Sequence, residues 1–408
     1  MPNRRTKSRR REKILGMSNK VFFSLLTILM LIIITLTIGI AINNIKEKNK
    51  FEAEQKQKSN ELEEIYENTN NHLNLTDNYR SNTIIRLAAV GDIFFDEKVE
   101  KNVSNYDSIF ENVRKCFKDA DITIGTYAAN IENDKEEEFA KSVRKSGIEL
   151  VSTCTEKNEE NLKEKLEKCN FDTIGKNETD EETNNVKIIE KRGIKIALIA
   201  YTTDETKKSL NLYSEEKAKA DLSFAKENAV VTIVMMNFKQ TNDEKVSDDE
   251  KNIANFLVQN GADAIIGTSK SNIKKMEMIE NKEGKKCIVA YSLGDYVTDF
   301  SKEQSKLQII LNIQIYVSTS DEVSIYKVDY TPVYMNDYGT KEKENRYKLF
   351  DVKYEIAKFD YEIENNKSKD EEETNNNIAS KTTEEIIDEE TYKKMKKASD
   401  KIKDIIQN

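Results

Sequence analysis

The sequence predicts an α/β domain with flanking helices, carried on an N-terminal membrane-spanning helix and followed by a helical tail. Three observations lead there. Between residues 84 and 292 short apolar runs alternate with stretches of helical composition, the pattern of an α/β domain. Residues 21–42 form an apolar run of 22 residues without a charge. Residues 384–407 resume helical patterning after a stretch rich in Asn, Glu, Lys and Thr.

The N-terminal run is long enough to cross a bilayer, about 33 Å at ~1.5 Å per helical residue. Residues 1–20 hold eight basic side chains against Glu12, a local charge of +7. Such a cluster ahead of an apolar span keeps the N-terminus cytoplasmic. A cleaved signal peptide is the competing reading. The run exceeds an h-region, however, and no Ala-x-Ala-like site follows at Ile42-Asn43-Asn44. The expectation is a single-pass anchor in the cell membrane, with the main domain extracytoplasmic. Residues 43–83 read as a polar stalk. The whole chain carries −9, so everything beyond residue 20 sums to −16. A domain this acidic repels polyanions at long range, which excludes nucleic acid as a partner.

From residue 84 the strand-like runs are 84–90, 121–125, 148–152, 171–175, 194–201, 229–236, 262–267 and 287–292. Helical stretches at 106–117, 156–169, 215–227 and 248–260 lie between several of them. The pattern then changes to consecutive strands at 307–316, 323–334 and 350–357, which suggests a second, antiparallel set packed on the first. This gives a domain over 84–360, a low-complexity linker over 361–383 expected to be disordered, and a C-terminal amphipathic helix over 384–408. Met395, Ala398, Ile402 and Ile405 share one face of that helix. Docking on its own domain is the simpler reading, and a dimerisation helix the alternative. The four cysteines (Cys116, Cys154, Cys169, Cys287) have no Cys-x-x-Cys spacing, so both one disulfide and free buried thiols stay open.

The residue counts exclude several chemistries. The chain has one histidine, His72, and it precedes the first strand of the domain. Ser-His-Asp and Cys-His catalysis and His-based zinc or dinuclear sites are therefore excluded within the domain. The stretch from Gly261 to Lys270 superficially suggests a P-loop. Five residues separate Gly261 from Gly267, and Lys270 falls two positions too late to bend over a cradled phosphate. The most suggestive carboxylate is Asp92. It ends an apolar run, and in open α/β sheets ligands bind at the C-terminal ends of strands.

At this level six segments in order resemble the CapA family of poly-gamma-glutamate (capsule) synthesis proteins. They are Ala89-Val90-Gly91-Asp92-Ile93, Asp119-Ala120-Asp121-Ile122, the run from Gly193 to Thr202, Asn260-Gly261-Ala262-Asp263 through Gly267, Ala290-Tyr291-Ser292-Leu293-Gly294-Asp295-Tyr296-Val297, and Tyr330-Thr331-Pro332-Val333. The resemblance implies a metallophosphatase-like layered β-sandwich flanked by helices. It also implies a role in capsule or poly-gamma-glutamate biosynthesis, with the synthesis machinery or the polymer as partner.

The departures from the family bear on the chemistry. Where the family carries Asn-Leu-Glu this chain has Thr126-Tyr127-Ala128. Asn-Asn-His becomes Thr155-Glu156-Lys157, His-Trp-Gly becomes Asn237-Phe238-Lys239, and Gly-His-x-Pro-His becomes Gly267-Thr268-Ser269-Lys270-Ser271. Ammonium groups at Lys157 and Lys239 oppose divalent cations. Vestigial metal candidates remain in Asp92, Glu156, Asn237 and Asp295, an oxygen-only set suited at most to weak Mg²⁺ or Ca²⁺. The expectation is a metallophosphatase-like pseudoenzyme without a cofactor, acting as an accessory or scaffold. The side chain of Asp92 would then cap the following turn, and a basic patch around Lys270 to Lys275 would be needed to touch an anionic polymer. The alternative is a metal-dependent phosphoesterase with an oxygen-only cation site at Asp92.

Overall fold

The computed structural model describes residues 83–155, 161–175, 185–205, 210–238, 245–268, 272–298, 306–339, 346–372 and 387–407, with a few short pieces nearer the N-terminus. The chain divides into two units, Met1–Ile65 and Tyr66–Asn408. In the first, Lys13–Ile14 pairs antiparallel with Met17–Ser18. The expected anchor at 21–42 and stalk at 43–83 lie almost wholly outside the described residues. Among the described residues no helix is long and apolar enough to cross a membrane.

The second unit holds two sheets. The first is built from β1 (Thr83–Ile93), β2 (Ile122–Tyr127), β3 (Leu150–Ser152), β4 (Asp172–Ile174) and four later strands. The second contains β5 (Val186–Lys191), β6 (Ile194–Thr202), β7 (Val231–Asn237), β8 (Ala264–Thr268), β9 (Met276–Glu280) and β10 (Lys286–Ala290), in the order β9-β10-β8-β7-β6-β5. After β10 the chain crosses back to the first sheet. There β11 (Asp295–Val297) lies beside the end of β1, followed by β12 (Leu307–Val317), β13 (Val323–Asp337) and β14 (Tyr347–Asp351). The order in the first sheet is β14-β13-β12-β1-β2-β3-β4, and His72–Asn74 adds to β13. Strands β1 to β4 are parallel, as are β6, β7, β8 and β10, whereas β12 to β14 pair antiparallel.

The consecutive strands after residue 306 therefore do not form a second set packed on the first. They extend the sheet that β1 begins, and the second sheet comes from the middle of the chain. Strand composition carries face alternation but not sheet membership, and the latter is fixed by where the chain crosses over.

Alternation places the cores. In β1, Ile85, Leu87 and Ala89 face the second sheet, where Ile196, Leu198, Ala200, Ile233 and Ile266 meet them. Ala88 and Val90 face the other way, onto a helical layer that includes Phe110, Phe139, Val143 and Leu166. The second sheet's outer residues, among them Ile199, Val234 and Ile265, pack on α-helical residues Leu222, Ala254 and Leu257. The result is two stacked sheets with helices outside both.

Local chemistry sets the helix ends. Helix α1 (Glu97–Asn102) is capped by Asp96, whose carboxylate accepts from the amides of Lys98 and Val99. Asp92 does not serve this purpose. It lies on β1 itself, and its amide donates to the carbonyl of Gly294. Helix α2 (Asp107–Phe110) runs into a 3-10 turn over Glu111–Phe117. Helix α3 (Asp134–Lys145) starts with a capping box of Asn133 and Glu136. Helices α4 (Leu162–Lys168) and α5 (Glu215–Asn228) follow. Helix α6 (Asp248–Gln259) has the same device in Ser247 and Glu250.

Residues 350–357 are not one strand. The strand stops at Asp351, whose side chain accepts from the amide of Tyr354 and so starts helix α7 (Val352–Glu372). That helix runs past residue 360, through the start of the expected linker, and residues 373–386 lie outside the described residues. Helix α8 (Glu389–Gln407) docks on its own domain. It buries Met395, Ala398, Ile402 and Ile406 against Tyr330, Tyr334 and Phe350 in the layer between the sheets, with Ile405 at the margin. All four cysteines are free, three of them buried.

Candidate functional site

The parallel strands of both sheets end at one edge, and the crossover from β10 to β11 joins the two rows. It consists of Tyr291-Ser292-Leu293-Gly294. Gly91 and Gly294 let the backbones approach closely, since a Cβ on Gly91 would stand 1.6 Å from the carbonyl oxygen of Gly294. Gly294 itself holds a φ of +77°, a conformation that favours glycine. A bulge between Ala89 and Asp92 completes the arrangement, a common device for re-aiming a side chain at a sheet end.

The consequence is a row of three register partners. Asp92 has Asp295 on one side and Thr126 on the other. Neighbouring strands stand ~4.8 Å apart, so Asp92 and Asp295 are backbone neighbours, and each is only 1 % exposed. Thr126 is also buried. In the second sheet Thr202, Asn237 and Thr268 form a corresponding row. The Thr202 hydroxyl donates to Asn237 Oδ1 at 3.3 Å, and Asn237 Nδ2 donates to Thr268 Oγ1 at 3.1 Å. The amide of Asn237 is thus engaged at both ends within its own sheet.

Of the four residues singled out from the sequence, the fold sets Asp92 and Asp295 side by side. It places Asn237 in the hydroxyl ladder of the other sheet, and Glu156 lies outside the described residues. The sequence reading met Thr126 and Thr268 only as departures from the family pattern and Thr202 only as the end of a run, and gave none of them a role. Their signal was positional, a hydroxyl at or near the end of each apolar run.

Two lysines near this edge are not a free basic patch. Lys274 is fully buried and pairs with Glu250 at 2.5 Å, while its amide donates to the carbonyl of Ser292. Glu250 also closes the capping box of α6. This ion pair ties the start of α6 to the crossover, and breaking such a buried pair costs about 3–5 kcal/mol. Lys275 pairs with Glu277 at 2.8 Å. Lys270 lies outside the described residues.

Cys154, beside the end of β3, is no nucleophile. Its thiol donates to the carbonyl of Gly175 at 2.9 Å, and burial pushes its pKa up to about 12. On the helical side of β11, Tyr296 is buried, with no hydrogen-bond partner for its hydroxyl among the described residues. An unmade bond of this kind costs about 1–3 kcal/mol. Tyr296→Phe is therefore expected to raise the urea midpoint, by about 1 kcal/mol of stability. A clear loss instead would mean that the hydroxyl has a partner.

The donor set fits a dinuclear transition-metal centre poorly. No imidazole stands in either row: the single histidine, His72, lies not in a stalk ahead of the domain but on the strand added to β13, with β13 and β12 between it and β1. Among the described residues no three His, Cys, Asp or Glu side chains gather as a metal-binding group. Two cations held about 3.5–4 Å apart need bridging and terminal ligands from both rows, and the second row offers two hydroxyls and an engaged amide.

The arrangement is thus a two-sheet α/β domain with a polar strand-end edge. The family profile of the bacterial capsule synthesis protein PGA_cap matches residues 86–300, and the chain belongs to that family. The capsule biosynthesis protein CapA of Bacillus anthracis is 23% identical over 258 residues, covering 54% of this chain and 61% of that protein. The chain therefore spans under two thirds of the relative's length. Among solved structures, a hypothetical protein from Thermus thermophilus overlaps 60% of this chain and 99% of its own, at 12% identity and a TM-score of 0.37. A 5'-nucleotidase from Candida albicans overlaps 74% and 59%, at 10% identity and a TM-score of 0.35.

Proposed function

We propose that this chain is a membrane-anchored, extracytoplasmic accessory or scaffold in capsule or poly-gamma-glutamate biosynthesis, and that it works without a metal cofactor. Its two sheets would then be a metallophosphatase-like sandwich that keeps the layers and not the reaction centre. The domain would extend over about 84–360, behind the anchor at 21–42 and the stalk at 43–83. The observation that carries the reading is the chemistry of the strand-end edge. Thr126 and Thr268 put hydroxyls at family positions that would hold metal, and the amide of Asn237 is held between Thr202 and Thr268.

The experiment is elemental analysis of the purified full chain together with complementation in cells that make it. No stoichiometric transition metal is expected, and an Asp92→Asn chain is expected to restore surface polymer as fully as the unaltered one. About two Mn, Fe or Zn per chain, the complement of a dinuclear centre, would overturn the reading.

A second reading has one observation in its favour. Two buried carboxylates, Asp92 and Asp295, stand in register on neighbouring strands at this edge. That juxtaposition suits a single hard cation and a metal-dependent phosphoesterase. It requires Mg²⁺- or Mn²⁺-dependent phosphoester turnover that Asp92→Asn abolishes, and no turnover across a substrate panel would remove it.

A further inference from the structure

At the start of α8 the domain carries a cavity of about 540 Å³, within the ~300–1,000 Å³ span of small-molecule sites. The 3-10 turn, the end of β13, strand β14, the first turns of α7 and the beginning of α8 all contribute to its wall. Its charges balance. Lys115, Lys348 and Lys358 stand with Glu111, Glu355 and Asp388. Glu355 and Lys358 are only 6 % and 7 % exposed, so the floor consists of charged groups held in place by packing.

The wall is also aromatic. Among the described residues Tyr338 is the one aromatic side chain left exposed, at 39 %, and it stands at the mouth of this cavity. Tyr354 lies further in, with the ammonium group of Lys115 over its ring. The cavity under the opposite ends of β6 to β8 is larger, about 770 Å³, and sets four lysines against four carboxylates, but no aromatic side chain lines it.

We propose that this cavity binds a neutral saccharide, with a pyranose ring stacked on Tyr338 and its hydroxyls turned to the charged floor. Each sugar hydroxyl both donates and accepts, so it is best met where a donor and an acceptor stand side by side. Ammonium groups beside carboxylates supply that pairing, and hydrogen bonds to charged groups are the stronger kind. The C–H face of a pyranose carries a slight positive charge and meets the negative face of an aromatic ring. A charged ligand gains little here, because the balanced lining presents no net field to it. The acidic domain around the cavity repels anions besides. The beginning of α8 forms one side, so the tail builds the cavity as well as closing the core.

The proposal goes beyond the accessory reading and does not depend on it. The test is saturation-transfer difference NMR of the full-length protein with cellobiose, maltose and N,N'-diacetylchitobiose as probes. At least one is expected to show transfer concentrated on its ring C–H protons. Tyr338→Ala should weaken that probe about tenfold or more, and Tyr338→Trp should restore it, since the ring face and not the hydroxyl makes the contact. Tyr338 is exposed, so circular dichroism should be unchanged in both variants. Ile363→Ala, at an equally exposed apolar position outside the cavity, should leave binding within about twofold.

No transfer to any of the three probes by the unaltered chain would overturn the proposal. So would undiminished binding by Tyr338→Ala, or equal weakening by Ile363→Ala. Glucuronate and glucosamine complete the test. Binding of either about tenfold tighter than the best neutral probe would show that charge selects the ligand, and the neutral saccharide would be ruled out.

Discussion

Deleting residues 387–408 is expected to abolish cooperative folding of the domain. Helix α8 is part of the layer between the sheets, where Met395, Ile402 and Ile406 cover Tyr330, Tyr334 and Phe350. Burying a large aliphatic side chain stabilises by about 1.5–3 kcal/mol. Three of them therefore rival the total stability of a typical domain, about 5–15 kcal/mol. Deletion also bares the apolar face they cover, which promotes association. The graded version is Ile402→Ala, which should cost about 2–5 kcal/mol because the cavity cannot fully collapse. The chain has no tryptophan, so circular dichroism or tyrosine fluorescence in urea is the suitable probe. An unchanged midpoint in the truncated chain would show that the helix is an ornament on a self-sufficient core.

The second large effect is expected at Gly91→Ala. The added methyl would fall 1.6 Å from the carbonyl oxygen of Gly294 and 2.8 Å from its carbon. Both are backbone atoms, so no rotamer change relieves the contact. Either β1 or the crossover must shift, and the alignment of Asp92 with Asp295 goes with it. The destabilisation should reach or exceed the upper end of the ~1–3 kcal/mol typical of overpacking. Gly193→Ala is the control. Gly193 has a φ of +77° but nothing within 4 Å of a Cβ, so it should cost only the left-handed conformation, about 1–2 kcal/mol. Equal costs in urea would mean that the close approach at Gly91 is unimportant.

Much of this was legible in the residues, for identifiable reasons. Runs such as the one in β1 are buried on both faces, so their apolar composition announces them. Helices α5 and α6 were legible as stretches of helical composition between such runs. The edge strands β5 and β9 were not, because each mixes lysine or glutamate with half-buried residues. The start of α7 was hidden because Asp351 ends a strand and caps a helix in one step.

At the strand-end edge, Asp92 and Asp295 were legible as carboxylates after apolar runs. Their adjacency was not, since it depends on a crossover that only the fold supplies. The hydroxyl ladder through Asn237 was invisible for the same reason. Threonine is common in strands, and its meaning here comes from register. The docked tail followed from its apolar face.

The interleaving of the sheets bears on how the chain is made. Ala89 in β1 pairs with Leu311 in β12, some two hundred residues later. A chain that emerges N-terminus first thus presents β1 with one side bare while the whole second sheet is still being formed. Contacts at such sequence separation form slowly, and an unpaired apolar strand invites wrong partners in the interval. The acidic composition of the intervening chain keeps emerging copies apart by mutual repulsion during that wait. The charge that makes the finished surface inhospitable to polyanions therefore also guards the unfinished sheet.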